Sequence, residues 1–84
     1  MKILYSPRFI RQYKKLPSEI KDKVEGKEEI FRANPFDNRL KTHKLNGELK
    51  DYWSFSVDYD IRIIFIFQGT DTIRLELIGD HDIY

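Results

Sequence analysis

The sequence predicts an α+β fold, in which an antiparallel β-sheet carries an N-terminal helical hairpin on one of its faces. Apolar residues recur at helical spacing as far as Asn34-Pro35, and from Tyr52 onward they alternate with polar residues as in strands. The chain has 84 residues, 40% of them hydrophobic, which suffices for one small core, so we expect residues 1–84 to form a single domain. Six Phe, five Tyr and one Trp exclude a disordered chain.

The N-terminal part is predicted to be a short strand followed by a first helix. Lys2–Tyr5 forms the strand. Ser6 begins the helix, because serine caps helices and Pro7 is tolerated in the first turn. The apolar stripe of this helix consists of Phe9, Tyr13 and Leu16.

A second helix follows at once and completes the hairpin. Pro17 breaks the first helix, and Ser18 is the predicted cap of the second. The pair Asn34-Pro35 ends it, because the residue before a proline is disfavoured in helical conformation. Gly26 and Lys27 weaken the apolar stripe where another apolar residue would fit better. The stripe consists of Ile20, Val24, Ile30 and Phe31.

The second half of the chain has the period of β-strands. Leu40–Leu45 is a predicted strand, followed by the turn pair Asn46-Gly47, and three further strands then form a meander. The face predicted to pack on the helices carries Trp53, Phe55, Ile61, Ile63, Phe65, Leu75 and Leu77. The opposite face carries Tyr52, Ser54, Ser56, Arg62, Ile64, Ile66 and Arg74. No predicted element covers this half-polar face, which makes it a candidate binding surface.

Several classes of protein are excluded or disfavoured. The absence of Cys excludes disulfides, thiolate metal sites and a cysteine nucleophile. The longest apolar run, Ile63–Phe67, is too short to cross a bilayer, and no secretory signal is visible, so we expect a cytoplasmic protein without a membrane partner. Glycine-rich phosphate loops and zinc-type His spacings are lacking, so we expect neither a cofactor nor a metal.

Charge is distributed unevenly along the chain. Residues 1–50 carry thirteen Lys and Arg against seven Asp and Glu, whereas residues 51–84 carry two against seven. Such a chain can present a positive face to phosphates although its net charge is only +1. Lys21, Lys23 and Lys27 are adequately explained as a solvated helix surface.

Three segments, HKLNGEL, YDIRIIF and LIGDHDIY, resemble the RelE/ParE toxin superfamily, most closely its RelE/YafQ-type messenger-RNA interferases. The resemblance covers essentially the whole chain. It implies a fold like that of the microbial ribonucleases, and a type II toxin that cleaves messenger RNA on the ribosome. It also implies a cognate antitoxin that binds the toxin and blocks its site.

Metal-independent RNA cleavage needs a base for the ribose 2′-OH, cations for the phosphate and an acid for the leaving 5′-oxygen. Histidine suits either proton transfer at neutral pH. The resemblance implies an acid/base role for His81, and substrate contact or proton transfer for His43. The alternative for each is a solvated histidine in a polar loop.

The resemblance also implies roles for three further residues. Arg62 is expected to clamp the scissile phosphate through two parallel hydrogen bonds, unless it only pairs with Glu76 across the strands. Asp60 is either a functional carboxylate, as in the YafQ-type toxins, or a turn residue, with equal weight. Tyr84 is expected to stack on a base or orient the 2′-OH, unless the terminus frays.

A basic tract surrounds His43 and is opposed only by Glu48. We expect it to bind the RNA backbone, the alternative being an edge strand that its lysines keep soluble. The tract consists of Arg39, Lys41, Lys44 and Lys50.

Ser56 departs from the family, whose members generally carry a basic side chain at this position. The sequence therefore predicts a ribosome-dependent endoribonuclease toxin whose activity the missing basic group weakens. Two alternatives stay open. One is a ParE-like toxin that poisons gyrase, against which the pair of His43 and His81 argues. The other is a catalytically impaired relative that only binds its antitoxin, which Ser56 favours.

Overall fold

The computed structural model describes residues 1–80. Within that range, two helices accompany a five-stranded sheet in the strand order β1-β5-β4-β3-β2. The elements are β1 (Lys2–Tyr5), α1 (Pro7–Lys14), α2 (Ser18–Ala33), β2 (His43–Lys44), β3 (Trp53–Ser56), β4 (Arg62–Phe67) and β5 (Thr72–Gly79), with 3₁₀ turns at Asn38–Leu40 and Gly47–Leu49. The predicted α+β class is confirmed. The sheet is mixed, because β1 pairs with β5 in parallel while the other pairs are antiparallel.

Helix α1 begins as predicted at Ser6. The Ser6 hydroxyl oxygen accepts the Phe9 N–H at 2.9 Å and donates its own hydrogen to the Glu76 carbonyl at 2.7 Å. Ser6 is buried, with 2% of its surface exposed. One side chain therefore caps α1 and ties it to β5.

Helix α2 begins one residue earlier than a Ser18 cap would allow. Ser18 is the first helical residue, and the capping position belongs to Pro17, whose carbonyl accepts the N–H groups of Ile20 and Lys21 at 3.0 Å each. The predicted Ser18 cap is wrong, because the break at Pro17 already supplies the extended residue before the helix. The predicted end is confirmed, since Asn34 is extended at φ −160° and ψ 107°. Neither helix within residues 1–80 is long and apolar enough to cross a membrane.

The predicted strand Leu40–Leu45 is mostly absent. Only His43–Lys44 joins the sheet, and Asn38–Leu40 forms a 3₁₀ turn that ends in a fully buried Leu40. Leu40 and Leu45 are an odd number of residues apart, so one regular strand would place them on opposite faces. Burial of Leu40 therefore takes precedence over strand formation.

The core lies between the helices and one face of the sheet. Phe31 of α2 stacks on Phe55 with ring centroids 4.5 Å apart and meets the edge of Phe65 at 4.9 Å. All three rings are inaccessible to solvent. The remaining buried members are Phe9, Val24, Leu40, Val57, Ile63, Ile73, Leu75 and Ile78.

A β-bulge in β5 corrects one predicted core residue. Two consecutive residues of β4 pair with Leu75 and Leu77, so Glu76 between them has no residue opposite. The bulge reverses the alternation of faces after it. Ile78 is consequently buried on the helical face, while Leu77 is half-buried on the other face.

The face opposite the helices is not bare throughout. Ser54 and Ile64 lie on it, yet they are 0% and 1% exposed, so the prediction of a wholly uncovered face is wrong there. Both occupy the middle of a row that His43 of β2 and Leu77 of β5 flank. Neighbouring side chains shield such central positions from solvent, whereas positions at the strand ends stay accessible to it.

We expect Ser6→Ala to lower the free energy of unfolding by about 2 kcal/mol, because it removes the cap of α1 and leaves the Phe9 N–H and the Glu76 carbonyl without their partner. Ser18→Ala is the matched control and should change it by less than about 0.5 kcal/mol, since Ser18 is exposed and caps nothing. Urea denaturation followed by circular dichroism measures both. Equal losses in the two variants would contradict the assignment of the cap.

Candidate functional site

A cleft of about 580 Å³ lies at the end of the sheet where β3 turns into β4. We call it the basic cleft, because residues 1–80 contribute four cationic side chains, one carboxylate and a histidine to its lining. The lining residues are Lys27, Arg39, Lys41, His43, Ser56, Val57, Asp58, Tyr59 and Arg62. They come from α2, the first 3₁₀ turn and its end, β2, and both sides of the β3–β4 turn.

The strand register brings His43, Ser56 and Arg62 together. His43 pairs with Ser54 across β2 and β3, and Ser56 pairs with Arg62 across β3 and β4. All four side chains lie on the face opposite the helices, because residues paired across neighbouring strands share a face. The sheet thus presents a histidine and an arginine in adjacent rows, without any help from loop packing.

The His43 ring is oriented by its own backbone neighbourhood. Its Nδ1 lies 3.1 Å from the Lys41 carbonyl oxygen, and His43 is exposed. A carbonyl only accepts, so Nδ1 must carry the hydrogen of this bond. In the neutral ring the lone pair is then on Nε2, which is the nitrogen left to accept a proton.

Lys41 has an unusual backbone conformation. Its φ of 53° and ψ of 41° lie in the left-handed region, where a side chain costs about 1–2 kcal/mol. Within residues 1–80 it is the one residue other than glycine with a positive φ. The conformation ends the first 3₁₀ turn, and it accompanies the contact between the Lys41 carbonyl and His43.

Arg39 is held in the cleft by a neighbouring carboxylate. Its Nε and Nη2 each donate to the Asp37 carboxylate at 3.0 Å, and its backbone N–H donates at 2.9 Å. These bonds from Arg39, first those of the side chain and then that of the backbone, lower the pKa of Asp37 to about 2. Asp37 is therefore charged at neutral pH and neutralises part of the Arg39 charge.

Lys27 is a cleft residue that the sequence analysis attributed to a solvated surface. Its Nζ donates to the Arg39 carbonyl at 3.3 Å, and the side chain is half-buried. Lys27 lies three residues after Val24 and four before Phe31, so it shares their side of α2. The interruption of the apolar stripe was the feature that distinguished it from Lys21 and Lys23.

The β3–β4 turn is held by Asp58. Its carboxylate accepts the N–H groups of Asp60 at 2.9 Å and Ile61 at 2.8 Å, and Lys23 lies 3.5 Å from it. Partial burial acts to raise the pKa of Asp58, but the two N–H groups and the Lys23 ammonium outweigh it, so the pKa is lowered. Asp58 is thus a structural anion, and Asp60 lies in the segment between β3 and β4.

Other predicted site residues lie apart from the basic cleft or outside the described residues. Lys44, Lys50 and Asp60 are exposed and do not line it. The expected alternative partner of Arg62, Glu76, instead forms an ion pair with Arg74, whose Nε lies 2.7 Å away without hydrogen-bond alignment. The residues His81 and Tyr84 lie outside the described residues.

Among residues 1–80, no three His, Asp or Glu side chains come close enough together to hold a metal ion.

Known proteins are similar to this chain in structure rather than in sequence. No protein-family model matches it, and no curated protein matches it significantly. The YoeB/ParE toxin from Agrobacterium tumefaciens has a TM-score of 0.82 at 18% identity, covering 96% of this chain and 99% of that one. YafQ from E. coli strain BL21(DE3) has a TM-score of 0.79 at 23% identity, covering 95% and 92%. The E. coli DinJ–YafQ toxin–antitoxin complex gives 0.77 at 23% identity, covering 95% and 91%.

We expect Lys41→Gly to raise the free energy of unfolding by about 0.5–1 kcal/mol, because relief of the left-handed strain exceeds the entropy that glycine loses on folding. Lys44→Gly, which removes an equal charge from extended β2, should instead lower it by about 0.5–1 kcal/mol. Chemical denaturation of both variants at one ionic strength measures the difference. A loss of stability in Lys41→Gly as large as that in Lys44→Gly would show that position 41 is unstrained.

Proposed function

We propose that this chain, which has the fold of the RelE/ParE toxin superfamily, is the toxin of a type II toxin–antitoxin pair and cleaves messenger RNA on the ribosome. One observation carries the proposal. Lys27 of α2, His43 of β2 and Arg62 of β4 converge on a single cleft, although they are far apart in the chain. Cations and an imidazole around one cleft are what phosphodiester cleavage through the 2′-OH requires.

The cations of the basic cleft suit the phosphate. Arg62 presents a planar guanidinium that can donate two parallel hydrogen bonds to phosphate oxygens. Lys27 and Lys41 supply further positive charge from other sides of the cleft. As the 2′-oxygen attacks phosphorus and the 5′-oxygen departs, negative charge accumulates on the phosphate oxygens, and these cations stabilise it.

We propose that His81 and His43 divide the proton transfers. One imidazole takes the 2′-OH proton and another group protonates the leaving 5′-oxygen, which leaves a 2′,3′-cyclic phosphate. His81 is the proposed acid or base, and His43 contacts the substrate or transfers the second proton through Nε2. The pairing of Gly79 with Arg62 supports this assignment, because β5 ends beside Arg62 two residues before His81.

The remaining predicted residues stay proposals with narrower roles. Tyr84 stacks on a base or orients the 2′-OH. Lys44 and Lys50 bind the RNA backbone beyond the cleft, where they are exposed. Arg39 contributes less than its charge suggests, because Asp37 already engages its guanidinium. Asp60 is the weakest candidate, since it is exposed and its N–H serves the turn.

A protein antitoxin is the proposed partner besides the ribosome and messenger RNA. The similarity to YafQ, which is known in the DinJ–YafQ toxin–antitoxin complex, supports it. An antitoxin that blocks the basic cleft would neutralise activity directly. We therefore also propose that the protein acts in the cytoplasm, where ribosomes and messenger RNA meet it.

Induced expression without antitoxin should arrest growth and cut messenger RNA within translated codons. We expect Arg62→Ala to reduce cutting about a hundredfold, because the negative charge that accumulates on the phosphate oxygens loses its main cationic partner. Arg74→Ala is the matched control and should cut like the wild type, since Arg74 pairs with Glu76 and does not line the cleft. Primer extension on a reporter transcript measures both. Growth arrest with intact messenger RNA and damaged DNA would indicate gyrase poisoning instead, and no arrest would indicate an impaired relative.

We expect Ser56→Arg to increase cutting several-fold, because it restores a cation beside Arg62 at the position where family members carry one. Ser54→Arg is unsuitable as a control because Ser54 is buried, so Thr72→Arg on β5, outside the cleft, serves instead. The same primer-extension assay compares cutting rates at equal protein levels. Unchanged cutting in Ser56→Arg would show that the present site is not limited by the serine.

A further inference from the structure

We propose that Tyr59 forms a nucleobase subsite at the mouth of the basic cleft, where its ring stacks on a base of the single-stranded RNA. This inference rests on the proposed function and adds to it a residue that contacts the base rather than the phosphate. Three observations carry it: the exposure of the ring, the rigidity of its turn and the charge of the cleft that it borders.

Tyr59 is far more exposed than the other aromatic residues that the structure describes. It is 88% exposed, whereas the next, Phe36, is 52% exposed and packs against Trp53 and Phe67. Within residues 1–80, Tyr59 makes no hydrogen bond and no ring contact of its own. The faces of the phenol ring are therefore accessible to a ligand.

The turn that carries Tyr59 is fixed on both sides of it. The Val57 N–H donates to the Ile61 carbonyl at 2.8 Å and closes the base of the turn. Asp58 binds the N–H groups of the next two backbone positions after Tyr59. Lys23 of α2 adds an ion pair to Asp58 at 3.5 Å. On the protein side, binding a base therefore requires ordering only of the side-chain torsions of Tyr59, so the backbone adds little to the entropy lost.

The cleft favours nucleic acid over a protein segment as the occupant of this subsite. Tyr59 borders the same cleft as Lys27, Lys41 and Arg62, the proposed phosphate ligands. The one carboxylate that residues 1–80 contribute to the lining, Asp58, is already engaged by Lys23. A phosphate bound among these cations leaves its nucleoside to be placed at the rim, where the phenol ring offers a flat apolar face. Stacking accepts every base, so we expect little sequence preference from this contact.

The test uses the full chain and a short single-stranded RNA with 2′-O-methyl groups, which 2′-OH attack cannot cleave. Fluorescence anisotropy at low salt measures the affinity. We expect Tyr59→Leu to weaken binding about tenfold, and Tyr59→Phe to bind like the wild type because the ring is kept. Phe36→Leu is the control for losing an exposed aromatic ring outside the cleft, and it should not change the affinity.

A second measurement ties the effect to a base. A series of RNAs, each with one abasic nucleotide, should contain a position that weakens the wild type about tenfold but does not weaken Tyr59→Leu further. Wild-type affinity in Tyr59→Leu, or equal losses in Tyr59→Leu and Tyr59→Phe, would overturn the stacking subsite. A Tyr59→Leu variant that loses affinity for the antitoxin but not for RNA would also overturn the stacking subsite. If the wild type binds no free RNA, the subsite is overturned, whereas the proposed function is decided separately by whether the protein cuts translated messenger RNA in the primer-extension assay.

Discussion

The contact of Phe31 with the sheet fixes which side of α2 is buried and which of its side chains reach the basic cleft. The ring is sealed between Phe55 and Phe65, so it fixes the depth and rotation of the helix. Lys27 lies one turn before it and Lys23 a further turn before that. Because the apolar anchor is rigid, Lys27 reaches the Arg39 carbonyl and Lys23 reaches Asp58, each on a different wall of the basic cleft. Packing and site geometry therefore depend on one interaction.

The register of the sheet is the second requirement, and the bulge in β5 completes it. A slip of one residue between β3 and β4 would place Ser56 and Arg62 on opposite faces of the sheet. If Glu76 paired with Ile64 in a regular ladder, Ile78 would stand opposite Arg62 and place a bulky side chain beside the guanidinium. With the bulge, Ile78 enters the core and Gly79 stands opposite Arg62. The irregularity thus places a residue without a side chain opposite Arg62 while Ile78 fills the core.

Regular elements were readable from the sequence because their causes are local. The cap at Ser6 and the helix end at Asn34 depend on side chains that lie within a few residues of the terminus that they set. The strand at Leu40–Leu45 and the core position of Leu77 were wrong because burial of Leu40 and a bulge opposite β4 are decided by distant partners. Alternation of residue types along one strand contains no information about an extra residue in the next.

The candidate site was readable only in part, for a related reason. His43 and Arg62 were identified from motifs, and the register brings both to the basic cleft. Lys27 was predicted to be solvent-exposed, because a lysine on a helix surface is solvated in most proteins. Its approach to the cleft depends on the 3₁₀ turn at Asn38–Leu40, which the sequence did not predict because Leu40 was taken as the start of a strand.

Three residues of the basic cleft violate local rules of folding, and this agreement argues that the cleft was selected for a task other than stability. Lys27 occupies an apolar stripe, Lys41 adopts a left-handed backbone, and Tyr59 exposes an aromatic ring. The first two choices lower stability, and the substitutions that would relieve them, an apolar residue and a glycine, are chemically simple. Exposed apolar side chains also occur away from the cleft, as at Ile10 and Phe36, whereas both lysines bring their charge to one cationic concavity. That arrangement is the one expected where binding of a polyanion outweighs the local preferences of the chain.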